Sequence, residues 1–515
     1  MKRSYIRLFG AVGFLFAFLL TSCDNGFESL NTNPDAVSEV TPEYMFTLSQ
    51  LDALNAAVFS SHVTTSGGFM QHFATYKDVP SLGDRYTWSQ GDYPYAFFNT
   101  IYPNAIKEIG EVIRAVSDDP ELVNLYAAAR VWRVLIMQQI TDMYGDVPYS
   151  EAGKGYSETI YTPQYDDQSD IYADMLNELS EAANSFTSEK ETFGSADLLY
   201  AGDITQWKKF TYSLMLRLGF RLTKADASLA ETWVKKAIEG GVITEDNDIA
   251  LVEYTDGPKT INYNPFAYAL VSGDYSVNNG IDNKEGGKFA QTFISYLTNT
   301  GDPRLNAIAV VWNNGVADTT TSIQKGMPNG LIGGSAPDDF VTYSEPNPET
   351  LLKYDSPYLV LTNAEVNLLL AEASVRGWYS GDANTLYQKA IYSALDYWSL
   401  YDSNAGAISE KRKAAYLADN ELDGTTFEDK MEQIHTQFWI SVFPNEIEIY
   451  ANWRRTGYPA LVPVNVPGNL TNGTIPRRLL YPPSEESLNG DNYAAAVAKI
   501  EGGNVLTGRV WWDAE

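Results

Sequence analysis

Apolar residues return at every third or fourth position between Leu122 and Ile140, as Leu122, Leu125, Ala129, Trp132, Ile136 and Ile140. That spacing keeps one face apolar over about five turns of α-helix and is incompatible with the two-residue period of a strand. Asp119 ahead of it is a good N-cap, Pro120 suits the first helical position, and Tyr144-Gly145 with Pro148 just beyond ends the run. A second amphipathic stretch begins at Ser169, with Ile171, Met175, Leu179 and Ala182 on one face. A third covers 205–224 and a fourth 230–239. Amphipathic helices separated by short turns predict an all-α dominated chain, an α-solenoid of helix hairpins. No run of regular tetratricopeptide consensus repeats is present.

The remaining segments refine that plan. Residues 44–58 read as helix. Residues 62–95 crowd aromatics with Gly67, Gly68, Pro80, Gly83 and Gly91, which predicts a loop region. A helix is expected from near Pro94 to about Ser117. Between Tyr254 and Pro348 the helical stripes give way to Gly, Asn, Asp, Thr and Tyr, with one helix expected over 288–299. Further helices are expected over 362–376, stopped by Gly377, over 384–400, and over about 426–450. The last stretch carries Pro459, Pro463, Pro467, Pro476, Pro482 and Pro483 and reads as an irregular wrap around the helical body.

At the N-terminus Lys2, Arg3 and Arg7 precede the apolar run Leu8–Leu20, and Leu20-Thr21-Ser22-Cys23 follows. This is the layout of a secretory signal peptide. The run spans about 20 Å as a helix, short of the ~30 Å hydrocarbon core of a bilayer. Cys23 stands at the cut site and resembles the lipidated cysteine of bacterial lipoproteins, although Thr21 is a looser choice than the small residue usual there. Acyl chains on the Cys23 thiol would fasten the protein to a membrane, at ~0.8 kcal/mol per buried methylene. Asp24–Pro42 reads as a tether. Cys23 is the only cysteine, so the mature chain has neither a disulfide nor a thiolate metal site. A formal net charge of -30 excludes nucleic-acid phosphate and anionic lipid surfaces as partners.

Several segments, in order, resemble the SusD/RagB family of outer-membrane lipoproteins, in its SusD-like type 2 branch. They are Tyr126-Ala-Ala-Ala-Arg-Val-Trp-Arg133 leading to Tyr144-Gly-Asp-Val-Pro-Tyr-Ser150, Gly202-Asp-Ile-Thr-Gln-Trp-Lys-Lys-Phe210 with Leu216-Arg-Leu218, and Ala364-Glu-Val366 with Ala371-Glu-Ala373. The C-terminal half adds Gln437-Phe-Trp-Ile440, Asn452-Trp-Arg-Arg-Thr-Gly-Tyr-Pro459, Pro476-Arg-Arg-Leu-Leu-Tyr-Pro482 and Arg509-Val-Trp-Trp-Asp513. The resemblance implies a tetratricopeptide-like α-solenoid with loop-rich insertions, in the following layout. A lipoprotein signal peptide occupies 1–22, and lipidated Cys23 and its tether 23–42. A single SusD-like domain occupies 43–515, with helical body 96–253 and 360–450, insertion 254–350 and C-terminal wrap 451–515. It also implies a cell-surface protein that captures an oligosaccharide, or alternatively an oligopeptide, for a SusC-like TonB-dependent transporter. The acidic tract common after the lipidated cysteine in the family is reduced here to Asp24 and Glu28.

Catalytic constellations are missing from the sequence. His62, His72 and His435 form no His-Glu-x-x-His pattern, and no Gly-x-Ser-x-Gly elbow or phosphate-binding glycine loop is present. Ser322-Ile-Gln-Lys325 lacks companion motifs. Glu245-Asp246-Asn247-Asp248 lacks the glycine and terminal glutamate of a calcium loop. Paired carboxylates of a glycan-cleaving enzyme cannot be picked out among 66 acidic residues. The expectation is a binding protein with no cofactor and no metal. Arg454 and Arg455, beside Trp453, are expected to form cation–π contacts or ion pairs with Glu365 or Glu372. A sugar site needs aromatic platforms rimmed by hydrogen-bonding groups. Two stretches supply both: Tyr76, Arg85, Tyr86, Trp88, Gln90 and Tyr93 in the first, Asn262, Tyr263, Asn264, Tyr268 and Asp274 in the second. Trp312, beside Asn313 and Asn314, is a third candidate. The alternative for each is that the ring pins its loop to the helical body.

Overall fold

The computed structural model describes residues 41–77, 82–88, 91–155, 157–273, 275, 286–332 and 334–515. The signal segment, Cys23 and its tether up to residue 40 lie outside the described residues, as do Gln90 and Asp274. Pro42–Glu515 forms one compact unit. Its longer helices are α1 (Pro42–Leu54), α2 (Lys107–Val116), α3 (Val123–Tyr144), α4 (Gln168–Ser185), α5 (Ile204–Arg221), α6 (Ala227–Gly240) and α7 (Pro265–Gly273). They continue as α8 (Gln291–Asn299), α9 (Asn363–Val375), α10 (Ala383–Asp396), α11 (Glu410–Ala418), α12 (Phe427–Ser441), α13 (Glu446–Thr456) and α14 (Gly490–Val497). The fold is all-α dominated. Helices α1 and α2, α3 and α4, α5 and α6, and α9 and α10 pack as pairs, and the pairs are chained through α2 on α3, α4 on α5, α5 on α9 and α9 on α12.

Local chemistry accounts for the helix ends. The Asp119 side chain accepts from the Glu121 N–H at 2.9 Å, Asp203 from Thr205 and Gln206 at the head of α5, and Thr362 from Glu365 at the head of α9. Thr426 and Asp429 close a capping box on α12. Gly145 ends α3 at φ 87°, in a conformation that a side chain would strain.

Short strands hold the insertion to the body. They are β1 (Phe73–Thr75), β2 (Ala250–Val252), β3 (Gly287–Phe289), β4 (Ala309–Asn313), β5 (Val316–Asp318), β6 (Glu345–Pro346) and β7 (Tyr358–Leu361). β1 pairs antiparallel with β3, with Phe73 opposite Phe289, and β2 pairs antiparallel with β7. β5, β4 and β6 form a small antiparallel sheet.

Four expectations change. Residues 62–95 are not simply loop: Phe59–Ser66 is a widened helical turn, in which the Gly67 N–H donates to the His62 carbonyl five residues back, and Gly67–Phe69 continues it. Gly67, Gly68 and Gly83, read as loop punctuation, are there for close approach: a Cβ on Gly83 would lie 2.1 Å from the Thr65 carbonyl oxygen. The helix expected from 288 begins at Gln291, because Lys288 belongs to β3. The helix expected over 426–450 is two, α12 and α13, broken before Pro444, which has no N–H to continue the ladder. The insertion holds α7 as well as α8, and the wrap holds α14 and the end of α13.

Beneath the helices runs a buried ionic network. Arg217 grips Glu365 through two hydrogen bonds at 2.6 and 2.8 Å. Arg221 donates to Glu448 at 2.5 Å and lies 3.4 Å from Asp142. Arg455 takes Glu372 in a fork of two 2.7 Å bonds, and Arg376 and His435 reach the same carboxylate at 2.8 and 3.1 Å. Arg455 thus forms its ion pair with Glu372, while Glu365 belongs to Arg217. Arg454 instead lies over the rings of Tyr450 (4.0 Å) and Trp512 (4.8 Å). Glu372 is fully buried, yet the Arg455 and Arg376 guanidiniums, with His435 beside them, hold its carboxyl well below the usual range against the opposing effect of burial.

Candidate ligand-binding surface

The start of α7 builds an aromatic platform. Asn264 is buried and caps the helix, its Oδ1 accepting from the N–H groups of Phe266 (2.8 Å) and Ala267 (3.1 Å). Its Nδ2 donates to the carbonyls of Ser356 (3.2 Å) and Pro357 (2.9 Å), and its own N–H donates to the Tyr354 carbonyl at 2.8 Å. Asn264 therefore positions rather than presents a hydrogen-bonding group. The result is that Tyr354 lies flat on Tyr263, with centroids 4.2 Å apart and planes 9° apart. Tyr268 completes the group at 6.0 Å from Tyr263 and 6.3 Å from Tyr354. All three rings are half-buried, and Asn262 beside them is exposed. Burial, with the two neighbouring phenols, raises the Tyr354 hydroxyl above its ordinary value, so it remains a protonated donor. Tyr354 was not picked from the sequence, because its partner lies 91 positions earlier and nothing periodic marks the turn that carries it.

A second aromatic group lies along β1, β3, β4 and β6. Tyr76 meets Phe340 edge-on at 5.1 Å, and the Lys288 ammonium sits 4.3 Å from the centre of the same Phe340 ring. Lys288 is ion-paired with buried Glu345, whose other oxygen accepts from the Trp312 indole at 3.2 Å. Tyr76 and Trp312, 236 positions apart in the chain, thus belong to one connected group. Both remain half-buried, with Asn313 exposed next to Trp312. Helix α7 leads from the tyrosine platform towards β3, and its nine residues span about 13 Å at ~1.5 Å per residue.

The other candidates pack. Tyr86 is 1% exposed; its hydroxyl accepts from the Val464 N–H at 3.3 Å and its carbonyl from the Leu470 N–H at 3.0 Å. Burial pushes its phenol up to about 12. Arg85 is buried and donates to the Lys77 carbonyl. Both look exposed in a Gly- and Asp-rich sequence, but both are buried, Tyr86 beneath the wrap from the far end of the chain. Trp88 is half-buried edge-on to Tyr95 at 6.3 Å, and the Tyr93 carbonyl accepts from the Ser60 hydroxyl at 3.0 Å. Asp84, next to this pair, accepts from Asn329 (2.6 Å) and Gly330 (3.2 Å), and burial pushes its carboxyl up to about 7. The apolar cavity it shares with Phe59, Val63, Phe73 and Tyr275 has about 20 Å³ of free volume, enough for one water and no sugar.

The histidines are also structural. His62 is buried between Ser61 and Tyr358, and burial pushes its imidazole down to about 4. His72 bonds Glu446 at 2.8 Å, and His435 bonds Glu372. The acidic run at 245–248 is spent on protein partners: Glu245 on Lys389 and Asp248 on Lys209, each at 2.7 Å, and Asp246 on Asn363. No cluster of three or more metal-binding side chains occurs among the described residues. No helix among them is long and apolar enough to cross a membrane.

A sequence profile described as "Starch-binding associating with outer membrane" matches residues 34–482, nearly the whole chain. The chain belongs to the SusD-like family. Solved structures agree. A chitin-binding protein is similar over 92% of this chain and 100% of its own, with 32% identity and a TM-score of 0.80. A SusD homologue from Bacteroides thetaiotaomicron is similar over 93% of this chain and 100% of its own, at 25% identity and a TM-score of 0.75. A chitin-binding SusD homologue from Flavobacterium johnsoniae shares the fold, with 23% identity over 92% of this chain and 98% of its own, at a TM-score of 0.74. A search of curated proteins finds no match. The SusD-like fold is thus the architecture that the ordered sequence motifs implied.

Proposed function

We propose that this SusD-like protein is a lipid-anchored, cell-surface receptor that captures an oligosaccharide and passes it, uncut, to a SusC-like TonB-dependent transporter. The observation that carries the reading is the stacked, half-buried platform of Tyr263, Tyr354 and Tyr268 beside exposed Asn262. It offers an apolar face for sugar C–H groups and phenol and amide groups for hydroxyls. The group of Tyr76, Phe340 and Trp312 is proposed as a further contact for the same chain. Two relatives described as chitin-binding make β-linked N-acetylglucosamine oligomers the first ligands to try. Cys23 is the proposed lipid attachment point, and 43–515 the ligand-binding domain.

The test uses protein beginning just after Cys23, screened against arrayed oligosaccharides and oligopeptides with calorimetry on the hits. The expected result is saturable glycan binding that weakens when Tyr263 or Tyr354 becomes Ala, with the ligand recovered intact. Peptide binding without glycan binding would replace the ligand class. Cleaved ligand would replace the receptor with an enzyme.

A further inference from the structure

Adjacent tryptophans near the C-terminus have opposite environments. Trp512 is fully buried and donates its indole N–H to Asp142 at 2.9 Å. Trp511 is 39% exposed, and it alone of the eleven tryptophans, all among the described residues, reaches the surface to that degree. An indole left in water is costly at ~25 cal/mol per Å² of apolar surface, and packing on Tyr172, whose ring centre is 6.2 Å away, covers only part of it.

Trp511 does not stand on an open surface. It lines a groove of about 330 Å³ between the α3–α4 connection and the C-terminal wrap, at the lower end of the ~300–1,000 Å³ usual for small-molecule sites. Asp146, Asp167, Gln168, Lys499 and Arg509 line it too. Its charges are largely matched from within, and Arg478, which also lines it, is spent on the Tyr144 carbonyl and the Asn504 amide oxygen. Lys499 pairs with Asp167 and lies 3.5 Å from Asp146, while Arg509 reaches Asp513 and Glu515, both at 3.2 Å. Gln168, 1% exposed, donates its amide to the Thr141 carbonyl at 2.7 Å, but its Oε1 accepts from no protein group. A buried acceptor left unfilled costs ~1–3 kcal/mol unless something donates to it.

We propose that this groove is a second carbohydrate subsite, in which an uncharged pyranose ring stacks on Trp511 and its hydroxyls bond the ion-paired heads of Lys499, Asp167 and Arg509. Matched charges favour a neutral sugar over a uronate or a cationic amino sugar, since either ion would have to break an existing pair or draw Arg478 from its hydrogen bonds. This inference rests on the glycan reading above but uses a different part of the molecule, formed by α4 and the wrap rather than by α7 and the insertion. A glycan held at both places would gain from effective concentration, provided its length matched the span.

The experiment labels protein beginning after Cys23 with 5-fluorotryptophan and titrates it with N-acetylglucosamine hexamer and with maltohexaose, following ¹⁹F resonances. The Trp511 signal is the one lost in Trp511→Phe. Expected is a saturable shift of that signal with at least one hexamer, persisting in Tyr354→Ala, and an at least fivefold weaker second binding event in Trp511→Ala. Only the conservative Trp511→Phe variant is needed to assign the signal, and the shift itself is read in the wild type. A hexamer that binds while the Trp511 signal stays fixed, with an unchanged isotherm in Trp511→Ala, overturns the subsite and leaves the receptor reading standing. Binding of neither hexamer overturns the subsite together with the neutral-glycan reading beneath it.

Discussion

The helical body and the insertion bury polar chemistry in opposite ways. Between α5, α9 and α13 the charged groups are sealed and ion-paired: Arg217 with Glu365, Arg221 with Glu448, Arg455 with Glu372. Around α7 and β4 a sealed pair, Lys288 with Glu345, sits among aromatic side chains left half in water, Tyr263, Tyr354, Tyr76 and Trp312. The family-like motifs fall in the first region, while the second keeps polar groups at the surface. A closed charge network specifies how helix pairs stack, and removing one partner strands the rest. A stack of exposed rings contributes less to folding and is free to meet a ligand. The first region is built for stability, and the second is the proposed place of recognition.

The largest break in that comparison is Glu372→Ala, which leaves Arg455, Arg376 and His435 around an empty position. Its expected cost is about 3–5 kcal/mol of stability, seen as a lowered urea midpoint, with glycan affinity unchanged wherever the protein remains folded. The pH dependence separates the regions next. The Glu372 carboxyl is held well below its unfolded value, so its stabilisation is complete above about pH 4.5 and is lost only as pH falls through the folded value. Asp84 has the opposite sign. Its folded value near 7 exceeds an unfolded value of about 4, so the folded state holds an extra proton between them and stability falls as pH rises across that window. This one proton contributes a decline of up to about 1.4 kcal/mol per pH unit between about pH 5 and 7. It is opposed below about pH 6.5 by His62, whose imidazole burial pushes down to about 4, so it is read as the difference between wild type and Asp84→Asn in urea titrations across that range.

Smaller effects test the recognition side. Tyr354→Ala should weaken glycan binding by about 1–2 kcal/mol, or roughly 5- to 30-fold, mainly through faster dissociation in a kinetic binding assay. Its unfolding midpoint should shift far less than that of Glu372→Ala. Trp312→Phe keeps the ring but deletes its hydrogen bond to Glu345. About 1 kcal/mol or less of stability should go, with a correspondingly small change in affinity by calorimetry.

The helical body was legible because its signals are local. Asp119-Pro120 and Gly145 bracket α3 within one continuous stripe, and Thr362 and Gly377 bracket α9. The insertion and the site were less so, because their determinants are separated in the chain. Phe73 finds Phe289 across 216 positions, and Tyr86 disappears beneath Val464 and Leu470. A tyrosine in a loop looks the same in sequence whether the wrap covers it, as at Tyr86, or leaves it half-open, as at Tyr263. Tyr354 and Trp511 show the converse: each lies in a segment read as connection or packing, and only the fold brings them to a platform or a groove.

The central claim is tested most directly by a crystal structure of the soluble domain with the tightest-binding oligosaccharide from the array. The account expects a sugar ring lying on the Tyr263–Tyr354 stack with Asn262 within hydrogen-bond reach, and the Arg217, Arg221 and Arg455 pairs unaltered. A ligand seated elsewhere with those tyrosines bare, or a ligand that opens the buried ion pairs to reach its site, would contradict it.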